Sequence, residues 1–256
     1  MVTTEADQNG AWRVPSPPGW REALGFAHAL GAGTGARSPN LTLAAAVQAV
    51  CGLLPGAQMP EPDELAWTRE VGGRPSGILY GSLRASSIAA GYDPAWLQVS
   101  NTHERGIEMV AATFDCKVAG IGIDLVQLSR MRRHGPPQLL QMARRFMSAD
   151  AYEEFTVGSA GGSSSDAPER VAAGFALMEA TSKALGAGLR MGLGVGGPLS
   201  VRMQSIGVTD PFGACSIAVL GDARDRLELL GCDQLTGACS NDGELVCACV
   251  AACRSG

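Results

Sequence analysis

Apolar and polar positions alternate along the chain with two periods, one helical and one of strand type. Residues 21–30 (REALGFAHAL) and 41–54 (LTLAAAVQAVCGLL) carry apolar side chains at helical spacing, the second run closing near Pro55-Gly56. A turn cluster, VGGRPSG, follows at 71–77. Residues 106–114 (GIEMVAATF) read as a strand, and 118–128 (VAGIGIDLVQL) as another, apolar on both sides and therefore buried. Paired prolines open a helix over 136–147, and Ser148 is the expected N-cap of a second over 148–155. Residues 157–168 (VGSAGGSSSDAP) have the composition of a flexible surface loop. A buried helix then runs from about 169 to 185. The remainder reads as β-rich, with strands expected at 199–203, 213–221, 226–231 and 245–252. The first 20 residues, polar and proline-rich, are expected to be irregular.

There is a faint internal echo. Residues 104–114 (ERGIEMVAATF) and 241–252 (NDGELVCACVAA) both place a turn before an apolar, β-prone run. This points to a duplicated α+β unit, although chance similarity of two strands explains it nearly as well. At 256 residues the chain can bury one large core or two small ones.

Composition narrows the class. With 46% hydrophobic and 18% charged residues the chain is globular rather than disordered. It shows neither a secretory signal nor an apolar run of membrane-spanning length, so it reads as a soluble, cytoplasmic protein. A net charge of −5 argues against general nucleic-acid affinity. Of 20 basic residues only Lys117 and Lys183 are lysines, which mildly favours a specific role for each. The eight cysteines show no paired CxxC spacing, and the C-terminal six have no nearby histidine, so free buried thiols are expected rather than a zinc site. Cys247 and Cys249, as alternate residues of a strand, should share a face.

The buried helix holds a contradiction. FALMEATSKALGAGL (175–189) is apolar or small almost throughout, yet carries Glu179 and Lys183 one turn apart. They could form an ordinary i,i+4 ion pair worth a few tenths of a kcal/mol, with Gly186 and Gly188 simply ending the helix. In so apolar a setting, however, both charges are costly unless something charged meets them. Asp124, set among Ile, Leu and Val, poses the same problem; capping a turn at the strand end is its plain alternative. Two carboxylates from separate elements suit a hard divalent cation such as Mg²⁺, which completes its shell with water and phosphate oxygens. Lys183 would then meet the same phosphates as a point charge.

These residues resemble a known family. GIDLV at 122–126, followed some fifty residues later by FALMEATSKALGAGL, is similar to the paired signature of the 4′-phosphopantetheinyl transferases. RFMSADAYEEF, REVGGRP and VSNTHERG resemble further family segments in the right order, so that about residues 69–190 are covered. The 119 residues before GIGIDLV (120–126) resemble the arrangement of the longer, surfactin-type enzymes. The resemblance implies an α+β fold of two pseudo-symmetric halves, each with an antiparallel sheet and a long helix: 1–118, and 119–256 carrying both motifs, with the site between them. It implies transfer of the phosphopantetheine arm of coenzyme A to a serine of an apo acyl or peptidyl carrier protein, in fatty acid biosynthesis or a related assembly line, with release of adenosine 3′,5′-bisphosphate.

Carried over residue by residue, the resemblance makes Asp124 and Glu179 the ligands of Mg²⁺ or Mn²⁺, Glu179 or a water it orients the base, and Lys183 a neutraliser of phosphate charge. His103, with Thr102 before it, would contact the coenzyme A phosphates. Arg74 and Pro75 would flank the adenine, and Arg69 would approach the 3′-phosphate. Arg130, Arg132 and Arg133 would face an acidic carrier protein, and the protein would act as a monomer. Four positions depart from the pattern. Met178 replaces a lysine, Phe175 a tryptophan and Thr102 a serine, and Val126 stands where some members have a third acid. Met178 keeps open a rival, an impaired member that binds coenzyme A or a carrier without transfer. A third reading makes Asp124, Glu179 and Lys183 a purely structural ion cluster.

Overall fold

The chain runs through one order of elements twice. The computed structural model describes residues 25–30, 39–54, 60, 63–69, 74–104, 107–160, 166–190, 200–212 and 215–255. First come β1 (Gly25–Leu30), α1 (Pro39–Cys51), the hairpin β2 (Leu65–Arg69) and β3 (Pro75–Leu79), the short helix α2 (Gly81–Ala89), and the hairpin β4 (Gln98–Glu104) and β5 (Ile107–Thr113). Next are β6 (Val118–Gln127), three helices α3 (Leu128–Arg132), α4 (Pro136–Ala143) and α5 (Ala149–Ala160), and the long α6 (Ala167–Ala184). After β7 (Gly188–Arg190) and β8 (Ser200–Arg202) come the hairpin β9 (Ile206–Thr209) and β10 (Ser216–Val219), helix α7 (Gly221–Leu229), and β11 (Gln234–Asn241) with β12 (Leu245–Cys253). The second passage thus repeats strand, helix, hairpin, short helix, hairpin, with α3–α5 and β7–β8 inserted.

Sheet topology repeats with it. One antiparallel sheet has the order β1-β5-β4 and the other β6-β12-β11, so in each the last strand of the unit lies in the middle. The two runs that echo in the sequence are these central strands, β5 and β12. Both short helices start on a glycine in the left-handed region, Gly81 at φ +46° and Gly221 at φ +49°. The expected α+β fold with antiparallel sheets is what forms.

Three apolar clusters hold these layers. One spans Ala45 to Phe114 and packs α1 on the first sheet. A larger one, between Val126 and Ala252, centres on α6. The third is small and joins the two sheets: Ala111 of β5, Ile121 and Ile123 of β6, and Cys249 of β12, with Met109 and Cys247 against it. Cys247 and Cys249 do share a face, and burial pushes the Cys247 thiol up to about 12.

Strand β6 faces two ways because side chains alternate along it. Ile121 and Ile123 enter the seam between the sheets, while Gly120, Gly122 and Asp124 face α6. A Cβ on Gly120 would stand 1.9 Å from the Ala184 carbonyl oxygen, and one on Gly122 1.8 Å from that of Ala180. Helix backbone therefore lies directly on strand backbone, an approach only glycine permits. Ser148 caps α5 as expected, its Oγ accepting from the Ala151 N–H at 3.3 Å.

Several elements differ from the sequence reading. Residues 25–30, within the expected helix over 21–30, form β1 instead, paired antiparallel to β5 from Gly25↔Ala112 to Leu30↔Ile107. Alanine and leucine favour a helix only weakly, and an open sheet edge prevails. Residues 226–231, read as a strand, belong to α7 and its C-cap, where Ala223 and Leu227, four apart, are the buried pair. The turn cluster at 71–77 runs into β3, while β2, α2 and β11 had no expected counterpart. The irregular lead-in over 1–20 lies outside the described residues, and α5 extends into the expected loop as far as Ala160.

A methyl group at Gly122 has no room, so Gly122→Ala should lower stability by roughly 2 kcal/mol or more. At Gly207, where a Cβ meets nothing closer than 3.9 Å, the same change should stay within about 0.5 kcal/mol of wild type. Chemical denaturation of both variants checks this. Equal stability would mean that α6 is not seated on β6 as described.

Candidate active site

Seating α6 on the glycines of β6 carries Glu179 and Lys183 alongside Asp124. Lys183 Nζ donates to Asp124 Oδ1 at 2.8 Å and to the Ile123 carbonyl at 2.8 Å. Asp124 Oδ1 also accepts from Thr102 Oγ1 at 3.1 Å, so a hydroxyl of the first sheet meets a carboxylate of the second. Two residues earlier on β4, Ser100 Oγ accepts the Ile123 N–H at 3.1 Å. Both edge strands are thereby tied across the seam.

The i,i+4 ion pair is not what forms, since Lys183 turns to Asp124 and leaves Glu179 with no hydrogen bond or ion pair among the described residues. The expected helix stop does form. Gly186 sits at φ +63° and its N–H closes on the Lys183 carbonyl at 2.9 Å.

A cleft of about 560 Å³ opens here, walled by β4, β6, α6 and the start of β3. Asp124, Glu179 and Lys183 line it, as do Thr102 and His103. Arg74 and Pro75 form its other end. Arg74 is braced there, donating to Gln98 Oε1 and, at 2.6 Å, to the Ala119 carbonyl. Arg69 closes β2, and its side chain lies outside the described residues.

Burial first, and then the neighbouring Asp124 carboxylate, raise the Glu179 carboxyl above its ordinary value; Lys183 opposes this and does not prevail. Among the described residues, both hydrogen bonds to Asp124 end on Oδ1, and the Glu179 oxygens have none. These oxygens could hold a divalent cation. Among the described residues no group of three or more His, Cys, Asp or Glu comes together, and Val126 supplies no third acid. The donor set therefore fits an ion that draws the rest of its shell from water and phosphate.

A family model, described as the 4′-phosphopantetheinyl transferase superfamily, matches residues 120–250, just over half of the chain. The chain belongs to that superfamily. Solved structures similar to it include holo-ACP-synthase from Plasmodium yoelii, at 17% identity and TM-score 0.40, covering 54% of this chain and 97% of that one. The holo-[acyl-carrier-protein] synthase of Neisseria meningitidis is 25% identical, with TM-score 0.38 and coverage of 53% and 98%. That of Helicobacter pylori, in complex with coenzyme A, is 24% identical, with TM-score 0.35 and coverage of 52% and 98%. No curated protein matches the sequence.

For a transferase of this superfamily, Met178 is less of an anomaly than its position in the motif implies. It is fully buried in the core around α6 and does not line the cleft. Phe175 does line it. So do Asn101, which lies between Ser100 and Thr102 on β4 and had been given no role, and Arg130, which was expected only to face a carrier and pairs with Glu104 at 3.0 Å.

The raised Glu179 value has a sign that can be tested on metal-free protein. The native state holds the Glu179 proton more tightly than the unfolded chain does. This stability is fully present below the ordinary value of 4.5 and is lost as pH rises through the raised native value. Glu179→Gln removes that loss. Its melting temperature should equal wild type near about pH 4 and exceed it toward neutrality. A lower melting temperature at neutral pH would show that attraction to Lys183 outweighs burial.

Proposed function

We propose that the protein transfers the 4′-phosphopantetheine arm of coenzyme A to a serine hydroxyl of an apo-carrier protein. The observation that supports it most is the single cleft shared by Asp124, Glu179 and Lys183 from one half and Arg74, Thr102 and His103 from the other. On this reading the chain is a long, surfactin-type member, a cytoplasmic monomer whose halves, 1–118 and 119–256, enclose one site. The repeated order of elements supports that subgroup.

Asp124 and Glu179 would hold Mg²⁺. When bound, the ion supplies charge stabilisation to the diphosphate. The serine oxygen forms a bond to the phosphorus carrying the pantetheine arm, and the bond from that phosphorus to the nucleotide phosphate breaks, releasing adenosine 3′,5′-bisphosphate. Glu179, or a water held by it, takes the serine proton. An ammonium has three donors, and Lys183 uses two on Asp124 and Ile123, leaving one for a phosphate oxygen. His103, exposed at the cleft rim, adds a second donor to the phosphates. Arg74 and Pro75 flank the adenine, and Arg69 serves the 3′-phosphate.

The carrier is proposed to approach along Arg130, Arg132 and Arg133. Arg132 already pairs with Glu169 at 3.5 Å and Glu244 at 3.2 Å. Among the described residues Arg133 donates only to the Ser129 carbonyl and is the least compensated of the three. A structural ion cluster accounts less well for the site, because it would give Glu179 a partner too. With Met178 in the core, the impaired-member reading loses its motive.

Incubation with coenzyme A, Mg²⁺ and an apo-carrier should add one phosphopantetheine to the carrier, read by mass spectrometry. Glu179→Gln should reduce the rate roughly 10²-fold or more and abolish the rise in melting temperature that Mg²⁺ with coenzyme A gives the wild type. Binding of coenzyme A without transfer would reject the catalytic reading, and full activity of Glu179→Gln would remove that residue from the mechanism.

A further inference from the structure

Glu108 is a buried carboxylate with no part in the chemistry above. It lies on the central strand β5 at 3% exposure. Two neutral groups meet it, both on Oε1: the Thr42 hydroxyl of α1 at 2.8 Å and the Asn101 side-chain amide of β4 at 2.8 Å. No ion pair reaches it among the described residues. A carboxylate so placed is costly, and an apolar residue of the same size would pack there at less expense. Asn101 supplies a reason for keeping it. The residue is buried, at 8% exposure, yet it lines the cleft. An ionised carboxylate only accepts hydrogen bonds, so Asn101 must turn its NH₂ to Glu108. Its carbonyl Oδ1 is then the atom left over, and that atom takes no hydrogen bond from the described residues.

We infer that Glu108 is a positioning residue, locking the Asn101 amide so that Oδ1 is presented to the cleft as an acceptor for an uncharged N–H of coenzyme A. The other polar groups around it explain why an acceptor is wanted. Arg74, Lys183 and His103 offer donors suited to phosphates. Asp124 and Glu179 are reserved for a cation, and Glu104 is taken by Arg130. Asn101 Oδ1 is the neutral acceptor of this set. Coenzyme A has uncharged N–H donors in two places, the adenine amino group and the amides of the pantetheine arm. Without the carboxylate, the amide could rotate by half a turn and present its NH₂ instead.

This inference rests on the coenzyme A reading, and the experiment separates the two. Calorimetric titration with coenzyme A should show about five- to tenfold weaker binding for Asn101→Leu and for Glu108→Leu. The double variant should be no worse than either single one, because both remove the same hydrogen bond. Glu108→Gln, whose amide oxygen can still accept from Asn101, should bind nearly as wild type. Glu108→Gln should also keep the melting temperature near that of wild type, since its amide oxygen still accepts from the buried donors. Titration with adenosine 3′,5′-bisphosphate identifies the donor: a loss seen there too assigns the adenine amino group, and a loss confined to coenzyme A assigns the arm. In the amide spectrum of ¹⁵N-asparagine-labelled protein, the Asn101 side-chain signals should shift in Glu108→Leu and stay in place in Glu108→Gln. Unchanged affinity in Asn101→Leu, or in Glu108→Leu, overturns the inference while leaving the functional reading intact. Wild-type protein that does not bind coenzyme A overturns both.

Discussion

Everything in the cleft depends on the contact between the backbone of α6 and the two glycines of β6. A helix normally stands off a sheet by the thickness of the side chains between them. At Gly120 and Gly122 that layer is missing, and the carbonyls of Ala184 and Ala180 occupy the space where side chains would be. The helix is thereby brought close enough for Lys183 to reach both a strand carbonyl and the carboxylate two residues beyond the second glycine. One strand pattern, glycine on one face and isoleucine on the other, does two jobs. It seats the catalytic helix on one side and seals the seam between the sheets on the other.

The electrostatics follow from that placement. Two carboxylates and one ammonium converge, but they do not cancel in pairs. Lys183 is committed to Asp124, and Glu179 remains against an apolar helix with its neighbour's negative charge nearby. On the proposed reading, a cation at the carboxylates and phosphate oxygens at Lys183 would relieve a penalty that folding has already incurred. Polar contacts tie α1 to the first sheet, through Thr42 and Glu108, and α6 to the second, through Lys183 with Asp124 and the Ile123 carbonyl.

The surface beside the cleft is less basic than its sequence implies. Arg130 and Arg132 are largely answered by Glu104, Glu169 and Glu244. Exposed pairs of this kind contribute little to stability, and an acidic partner must compete with them. Such competition favours selective docking over indiscriminate attraction of acidic proteins.

Much of this was legible in advance, and the reason is local. Asp124, Glu179 and Lys183 are each anomalous within their own few residues, as charges in apolar runs, and the glycines beside them carry their meaning in the chain itself. The buried helix, the two central strands and the Ser148 cap are likewise set by short-range pattern. Residues 25–30 and 226–231 were misread because weak propensities there yield to contacts more than eighty residues away in the first case and to a helix's buried pair in the second. The Asn101–Glu108–Thr42 cluster could not be seen at all, since its members lie on three elements that only the sheet and its covering helix bring together. Sequence alone determined which residues needed partners. Tertiary structure decided which partners they have, because a buried charge announces its cost locally, whereas what compensates it is fixed by packing across the whole fold.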